Sequence, residues 1–593
     1  MLFASFAFAA LSLGTVAASH RVSSPKYDFV IVGGGTSGLV VANRLSELNN
    51  VTVAVIEAGD SVLNNFNVTD VLGYSLAFGT EIDWAYQTEN QTYAGGQKQT
   101  IRAGRAIGGT STINGMSYTR AENAQIDNWE LVGNKGWNWK NLLQYYKKSE
   151  GFEVPTQDQT AHGANYEADS HGKDGPLKVG WPTAMTNSSI FPVLNETMER
   201  LGIHYNRDAN DGKMVGFTVH PDTLDRERNT REGAARAYYW PYEARSNLKI
   251  ISNTQANRII WSNTTHGKCG DAVAIGVEVT GPSGQETIYA SKEVILSAGA
   301  LRSPALLELS GVGNPDILHK HSIPVKVNIP TVGENLQDQT NNALTWESND
   351  LLTGLATFSA LPSVNELYGD DLSSLASFIN ASLPNYAIAV SRASNGSVEE
   401  SNLLDAFKLQ YDLIFTSHVP YAEIVFAPTG SSFVVEYWPL LPFSRGSVHI
   451  RSANASQLPA INPNYFMFEQ DAAAQADVAR YIRKALGTAP LAGIVGDEVT
   501  PGLDILPETS SESTWNDWVL ANYRPNYHPV GTASMLPREK GGVVDAELRV
   551  YGTRNVRVVD ASVLPFQLCG HLTSTLYAVA EKASDLIKSR YTA

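Results

Sequence analysis

Residues 26–57 admit few folds. The run Phe29-Val30-Ile31-Val32 is continuously apolar, the pattern of a parallel strand buried on both faces. It enters Gly33-x-Gly35-x-x-Gly38, and the stretch that follows spaces its apolar residues as a helix does. A second apolar strand, residues 51–56, ends on the acid Glu57. Strand, glycine turn, helix, strand and acid predict the first βαβ unit of a dinucleotide-binding fold. Gly33 permits the tight turn, Gly35 lets the backbone approach a pyrophosphate, and Gly38 brings helix against strand. The helix N-terminus then offers unpaired N–H groups and a positive dipole end to phosphate, with Glu57 placed to accept from ribose hydroxyls.

A second glycine-rich stretch, Gly104-Arg105-Ala106-Ile107-Gly108-Gly109-Thr110-Ser111-Thr112-Ile113-Asn114-Gly115, separates the two dinucleotide classes. Small residues and hydroxyls let backbone lie against a flat ring system and donate to it. A nicotinamide enzyme needs no such second cradle, so a flavin fits better, although a flexible loop would have the same composition. Residues 225–330 return to α/β character, with a strand at 274–279 and a strand at 294–296 that runs into a small-residue turn, Ser297–Ala300. That turn is also able to face a phosphate or a ring. Between about 335 and 525 the chain is rich in Tyr, Phe, Trp, Asn and Ser, which suits an antiparallel substrate domain.

Composition excludes other classes. Lys+Arg 44 against Asp+Glu 60 leaves a net charge of −16, the wrong sign for holding nucleic acid. The apolar run at residues 1–19, closing on small residues, reads as a secretory signal peptide and is too interrupted for a membrane anchor. Asn50, Asn67, Asn90, Asn187, Asn195, Asn263, Asn380, Asn395 and Asn454 are glycosylation sequons that suit secretion, Asn50 being doubtful because a strand follows it. Cys269 and Cys569 are the only cysteines and read as free thiols. No metal site is expected, because neither cysteine nor histidine spacing suggests one.

Near the C-terminus, Tyr523-Arg524-Pro525-Asn526-Tyr527-His528 would, if extended, turn Arg524, Asn526 and His528 to one face. A cation, an amide and an imidazole together suit a polyol. His571 is expected to open a helix with an apolar stripe at Leu572, Leu576, Val579, Ala583 and Leu586 or Ile587, whose dipole would favour negative charge on a reduced flavin. Upstream, a strand delivers Asp560 and Ala561 to a turn. A lone histidine is more often a satisfied hydrogen-bonding residue than a catalyst, so periodicity leaves both readings of His528 open.

Taken together, Gly73–Gly79 (GYSLAFG), Arg102–Glu122 (RAGRAIGGTSTINGMSYTRAE), Val332–Gln339 (VGENLQDQ), Asn462–Glu469 (NPNYFMFE) and Val556–Leu572 (VRVVDASVLPFQLCGHL) resemble the glucose-methanol-choline (GMC) oxidoreductase family, and within it the fungal FAD-dependent glucose dehydrogenases. The resemblance spans essentially the whole mature chain. It implies an α/β, Rossmann-like FAD-binding domain (24–60, 95–125, 225–335 and 530–593), a lid and connecting segment (61–94), and a second, α+β substrate domain on a largely antiparallel sheet (126–224 and 336–529). FAD would be held by Gly33, Gly35, Thr36, Ser37, Gly38, Glu57, Ala58, Arg105, Gly108, Gly109, Thr110, Ser111, Asn114, Gly115, Met116, Ala256, Asp560, Ala561 and Leu572. His528 would be the general base and His571 the second catalytic histidine, with Tyr74, Glu436, Arg524 and Asn526 joining them around the sugar.

The activity implied is oxidation of the C1 hydroxyl of β-D-glucose to the 1,5-lactone, with a quinone or another acceptor other than oxygen, by a secreted monomer or homodimer that engages neither nucleic acid nor membrane. Glucose oxidation with O2, oxidation of aryl alcohols or other sugars, and a non-redox hydroxynitrile lyase are the alternatives. Bleaching of the flavin by substrate would exclude the last.

Overall fold

The computed structural model describes residues 25–185, 190–263, 270–354 and 358–592. The segment read as a signal peptide, Asn187 and Cys269 lie outside the described residues. The strand Lys26–Val32 pairs in parallel with Val53–Ile56 on one side and with Gly284–Leu296 on the other. Leu248–Ile251 extends the parallel ladder beyond Val53–Ile56, and Val556–Val558 extends it beyond Gly284–Leu296. Phe29 to Ile31 and Val53 to Val55 are fully buried, as strands covered on both faces must be. The helix Thr36–Ser46 covers one face and packs on the C-terminal helix Thr573–Thr592, where Arg44 binds Glu581 at 2.7 Å. Gly284–Leu296 also turns back through Ala274–Gly281 to Gln255–Trp261 as an antiparallel extension.

A second sheet is antiparallel throughout, in the order Val495–Thr500, Thr340–Leu352, Ala422–Pro439, Phe358–Leu361, Gly216–Val219, with Arg524–Pro525 paired to the start of Thr340–Leu352. The helix Glu469–Leu486 packs on it, and the long helices Leu372–Ala393 and Glu400–Phe415 pack on each other beside it. The two-sheet α/β and α+β architecture read from the sequence is therefore present.

Several boundaries move. The second strand begins at Val53, and the C-terminal helix begins at Thr573, so His571 precedes the helix by a turn residue instead of opening it. Along that helix Val579, Ala583 and Ile587 are buried, whereas Leu576 and Leu586 are only partly so. Asn50, Asn90, Asn263, Asn380, Asn395 and Asn454 are exposed, and Asn67 and Asn195 are half-buried. Cys569 is a free, buried thiol that donates to the Pro420 carbonyl at 3.2 Å. Among the described residues no helix is long and apolar enough to cross a membrane.

Candidate functional site

A cavity of about 470 Å³ runs from the carboxyl end of the parallel sheet to the face of the antiparallel one. Its nucleotide end is a place where side chains will not fit. Gly33 has φ +104°, and a Cβ there would sit 2.3 Å from the Ser297 carbonyl oxygen. A Cβ at Gly38 would meet the Gly33 carbonyl oxygen at 2.0 Å, and one at Gly109 would meet Gly35 Cα at 2.6 Å. The two glycine cradles thus touch each other, which their separation in sequence conceals. Gly35 caps the helix Thr36–Ser46 without any side-chain bond, so the first-turn N–H groups remain for a ligand.

Glu57 sits at this end with Oε2 accepting from Gly34 N at 2.8 Å and Oε1 from Gly59 N at 2.7 Å. Burial outweighs those bonds and pushes its carboxyl up to about 7. Asp560 lines this end too, with its carboxylate engaged by the chain: Oδ2 takes Gly299 N and Ser303 Oγ, and Oδ1 takes Ser562 N. Its side chain ties the Ser297–Ala300 turn to the wall and so acts on a ligand through that turn. These donors, glycine surfaces and the acid at a strand end fit a dinucleotide with a ring system at Gly104–Gly115.

Of the expected cofactor positions, all line the cavity except Gly38, Arg105 and Gly108. Gly38 and Gly108 serve close packing, since a Cβ at Gly108 would lie 2.7 Å from Thr112. Arg105 is exposed, its guanidinium 5.1 Å over the Trp84 ring, because the backbone here packs against Gly59 and turns the side chain outward. Trp84, Tyr86, Arg102 and the turn 297–302 also line the cavity. Only the turn left a signal in the sequence.

At the far end the chemistry converges. Arg524 begins a short strand, but Tyr527 adopts φ +63°, so the chain does not stay extended to His528. Arg524, Asn526 and His528 nevertheless share the cavity wall. Arg524 binds Glu436 at 2.8 Å, which pairs two of the expected sugar contacts with each other. Asn526 is largely sequestered: its Oδ1 accepts from Asn341 Nδ2 at 3.0 Å, and its Nδ2 donates to Gln339 Oε1 at 3.2 Å. It therefore acts on the histidine through Gln339, whose Oε1 it shares with the ring, as well as facing the cavity.

The His528 ring is held by residues that spacing alone did not reveal. Its backbone N–H donates to Asp338 Oδ1 at 2.8 Å, and its Nδ1 lies 2.8 Å from Gln339 Oε1. Gln339 Nε2 donates to the carbonyls of Leu440 and Leu568, at 2.9 and 3.2 Å, so the amide can present only its oxygen to the imidazole. His528 Nδ1 must then carry the proton, and Nε2 keeps a lone pair. Burial first, then the charges of His571 and Arg524, hold the His528 pKa well below the ordinary histidine value.

The His571 ring stands edge-on to that of His528, centroids 5.3 Å apart at 88°. Its backbone N–H donates to Thr119 Oγ1, and Nε2 lies 3.4 Å from Glu423 Oε1. Burial opposes its charge, but Glu423 prevails and raises its pKa. His220 completes this corner, its own pKa lowered to about 4 by burial. Ligand atoms of His220, Glu423 and His571 lie within 4.8 Å of one another, a cluster assembled from three distant stretches of chain. The pair of imidazoles is thus split electrostatically, one kept neutral and the other favouring a proton.

Two family models described as GMC oxidoreductase match residues 27–341 and 442–580. The chain is 44% identical over 576 residues to a glucose oxidase-like protein of Humicola fuscoatra, covering 97% of each chain. It is 35% identical to a glucose oxidase of Aspergillus carbonarius, covering 96% of this chain and 93% of that one. An FAD-dependent oxidoreductase from Chaetomium thermophilum superposes with a TM-score of 0.86 at 26% identity, covering 95% of this chain and 100% of that structure.

Proposed function

The chain belongs to the GMC oxidoreductase family, an enzyme family acting on CH–OH donors with FAD, and from that premise we propose that it oxidises the C1 hydroxyl of a glucopyranose to the 1,5-lactone in a secreted setting. The observation that carries this reading is the pair of imidazoles at 5.3 Å, one neutral and one favouring its proton, in the same cavity as the glycine cradles. Bound FAD would supply the hydride acceptor. His528 Nε2, with its lone pair directed by the Gln339 lock, takes the hydroxyl proton, a task that typically contributes about 10²–10⁴-fold. His571 donates to the same oxygen and orients it, and Glu423 keeps it able to do so. Arg524 and Glu436, one cationic and one anionic, supply both donor and acceptor to the remaining hydroxyls.

Support for the electron acceptor is divided. The resemblance to glucose dehydrogenases favours a quinone, whereas the relatives named glucose oxidase favour O2. Anaerobic mixing with glucose, followed by air or benzoquinone, decides: bleaching by glucose with fast recovery only on quinone selects the dehydrogenase, and fast recovery in air selects the oxidase. The same assay on His528→Ala should show retained yellow colour and nearly complete loss of bleaching. Near-normal bleaching would remove His528 from the base role.

A further inference from the structure

We propose that Tyr74, Phe78 and Tyr527 form the seat of an uncharged planar quinone, the acceptor for the electrons that leave the sugar. This rests on the glucose-oxidising reading of the cavity with a quinone as the acceptor, and adds that acceptor's place in it. The rings stand edge to face in sequence, Tyr74 to Phe78 at 5.4 Å and 77°, Phe78 to Tyr527 at 6.0 Å and 82°. All three line the cavity, and Tyr74 is 39% exposed, so the wall reaches the opening. Its inner end leans on the glycine cradle, since a Cβ at Gly115 would lie 3.8 Å from the Tyr74 ring. Edge-to-face rings present apolar faces and partly positive edges, which suit a flat ring carrying oxygens at both tips. A pyranose has hydroxyls all round and is better served by Arg524, Glu436 and the histidines, so Tyr74, which the resemblance places at the sugar, is assigned here to the acceptor instead.

Charge narrows the class of acceptor. Arg102 lies 5.2 Å over Phe78 and Arg524 lies 5.6 Å over Tyr527, but each guanidinium is already paired, with Asp83 and Glu436, both at 2.8 Å. The wall is close to neutral and favours an uncharged acceptor over an anion. The backbone is left-handed at two non-glycine positions beside these rings, Ser75 at φ +76° and Tyr527 at φ +63°. Such strain persists where the surroundings over-determine it, and at Tyr527 it accompanies the ring contact with Phe78. The exchange balances. C1–H and O–H bonds of the sugar break as its C=O forms; the hydride's two electrons and proton, with the proton taken by His528, make the two O–H bonds of a hydroquinone.

The test is Phe78→Ala beside Phe78→Tyr, both as holoenzyme. Phe78→Ala should raise KM for 1,4-benzoquinone about fivefold to tenfold, the scale of one lost aromatic pair. Calorimetric affinity of hydroquinone for the oxidised holoenzyme should fall by the same factor. Anaerobic reduction by glucose and reoxidation by anionic ferricyanide should be unchanged, and Phe78→Tyr should restore quinone binding. Unchanged quinone KM and hydroquinone affinity would overturn the assignment, as would a rise in the glucose KM in step, which would make the wall a sugar platform. If wild-type protein is not bleached by glucose, the glucose-oxidising reading fails instead, and hydroquinone calorimetry still decides the wall.

Discussion

The proton on the His528 ring is placed by an amide that cannot turn. Because both Gln339 Nε2 protons go to the carbonyls of Leu440 and Leu568, reversing that amide would bury two acceptors against an acceptor. Replacing Gln339 with Leu frees the tautomer, and we expect flavin reduction by sugar to slow about tenfold to hundredfold, part of the usual general-base contribution, with FAD still bound. Stopped-flow reduction at an unchanged rate would show that the lock is dispensable. The depressed His528 pKa makes a second prediction. The neutral base should persist below pH 6.5, so the acid limb of anaerobic reduction should lie under that value. His571→Gln removes a neighbouring positive charge and should move the limb upward while lowering the rate; a downward move would contradict the coupling.

At the scale of elements, His449 joins parts of the chain that no local pattern connects. It ends the strand Ser447–His449, with Nδ1 2.7 Å from Glu308 Oε1 on the helix Ser303–Leu309 and Nε2 3.2 Å from Glu334 Oε1. Burial disfavours its charge, but the two carboxylates prevail and raise its pKa to about 10. A histidine raised in the folded state contributes its full stabilisation below the unfolded value of about 6.5 and loses it as pH rises through about 10. His449→Gln should therefore lower Tm by several degrees near pH 6.5, with the gap to wild type narrowing towards pH 10. A gap independent of pH in thermal melts would mean that the ring matters through packing alone.

At the scale of the whole molecule, the cavity is walled by both sheets, so what fills it also holds the two together. Ligand bound only by the folded chain stabilises it by about 2.7 kcal/mol at a hundredfold excess over Kd. Removing FAD should lower Tm and open the chain to proteolysis, and adding FAD back should restore both. Equal melting of stripped and reconstituted protein would mean that the cofactor does not bridge the wall.

The legible part of this protein was local. Gly33, Gly35, Gly38 and Glu57 announce a nucleotide-binding βαβ because backbone freedom and hydrophobic period are properties of neighbouring residues. His528 and His571 were legible as candidates through the stretches that carry them, although extension of residues 524–528 was not, because the left-handed Tyr527 answers to packing with Phe78. Only the tertiary structure decided that Gly109 meets Gly35, that Gln339 sets the His528 tautomer, that Glu423 and His220 stand behind His571, and that Arg105 turns away from the cavity. The physical reason is common to all four. Hydrogen bonds, burial and charge act over a few ångströms of space, and the partners here come from stretches of chain tens to hundreds of residues apart, where no spacing along the sequence records them.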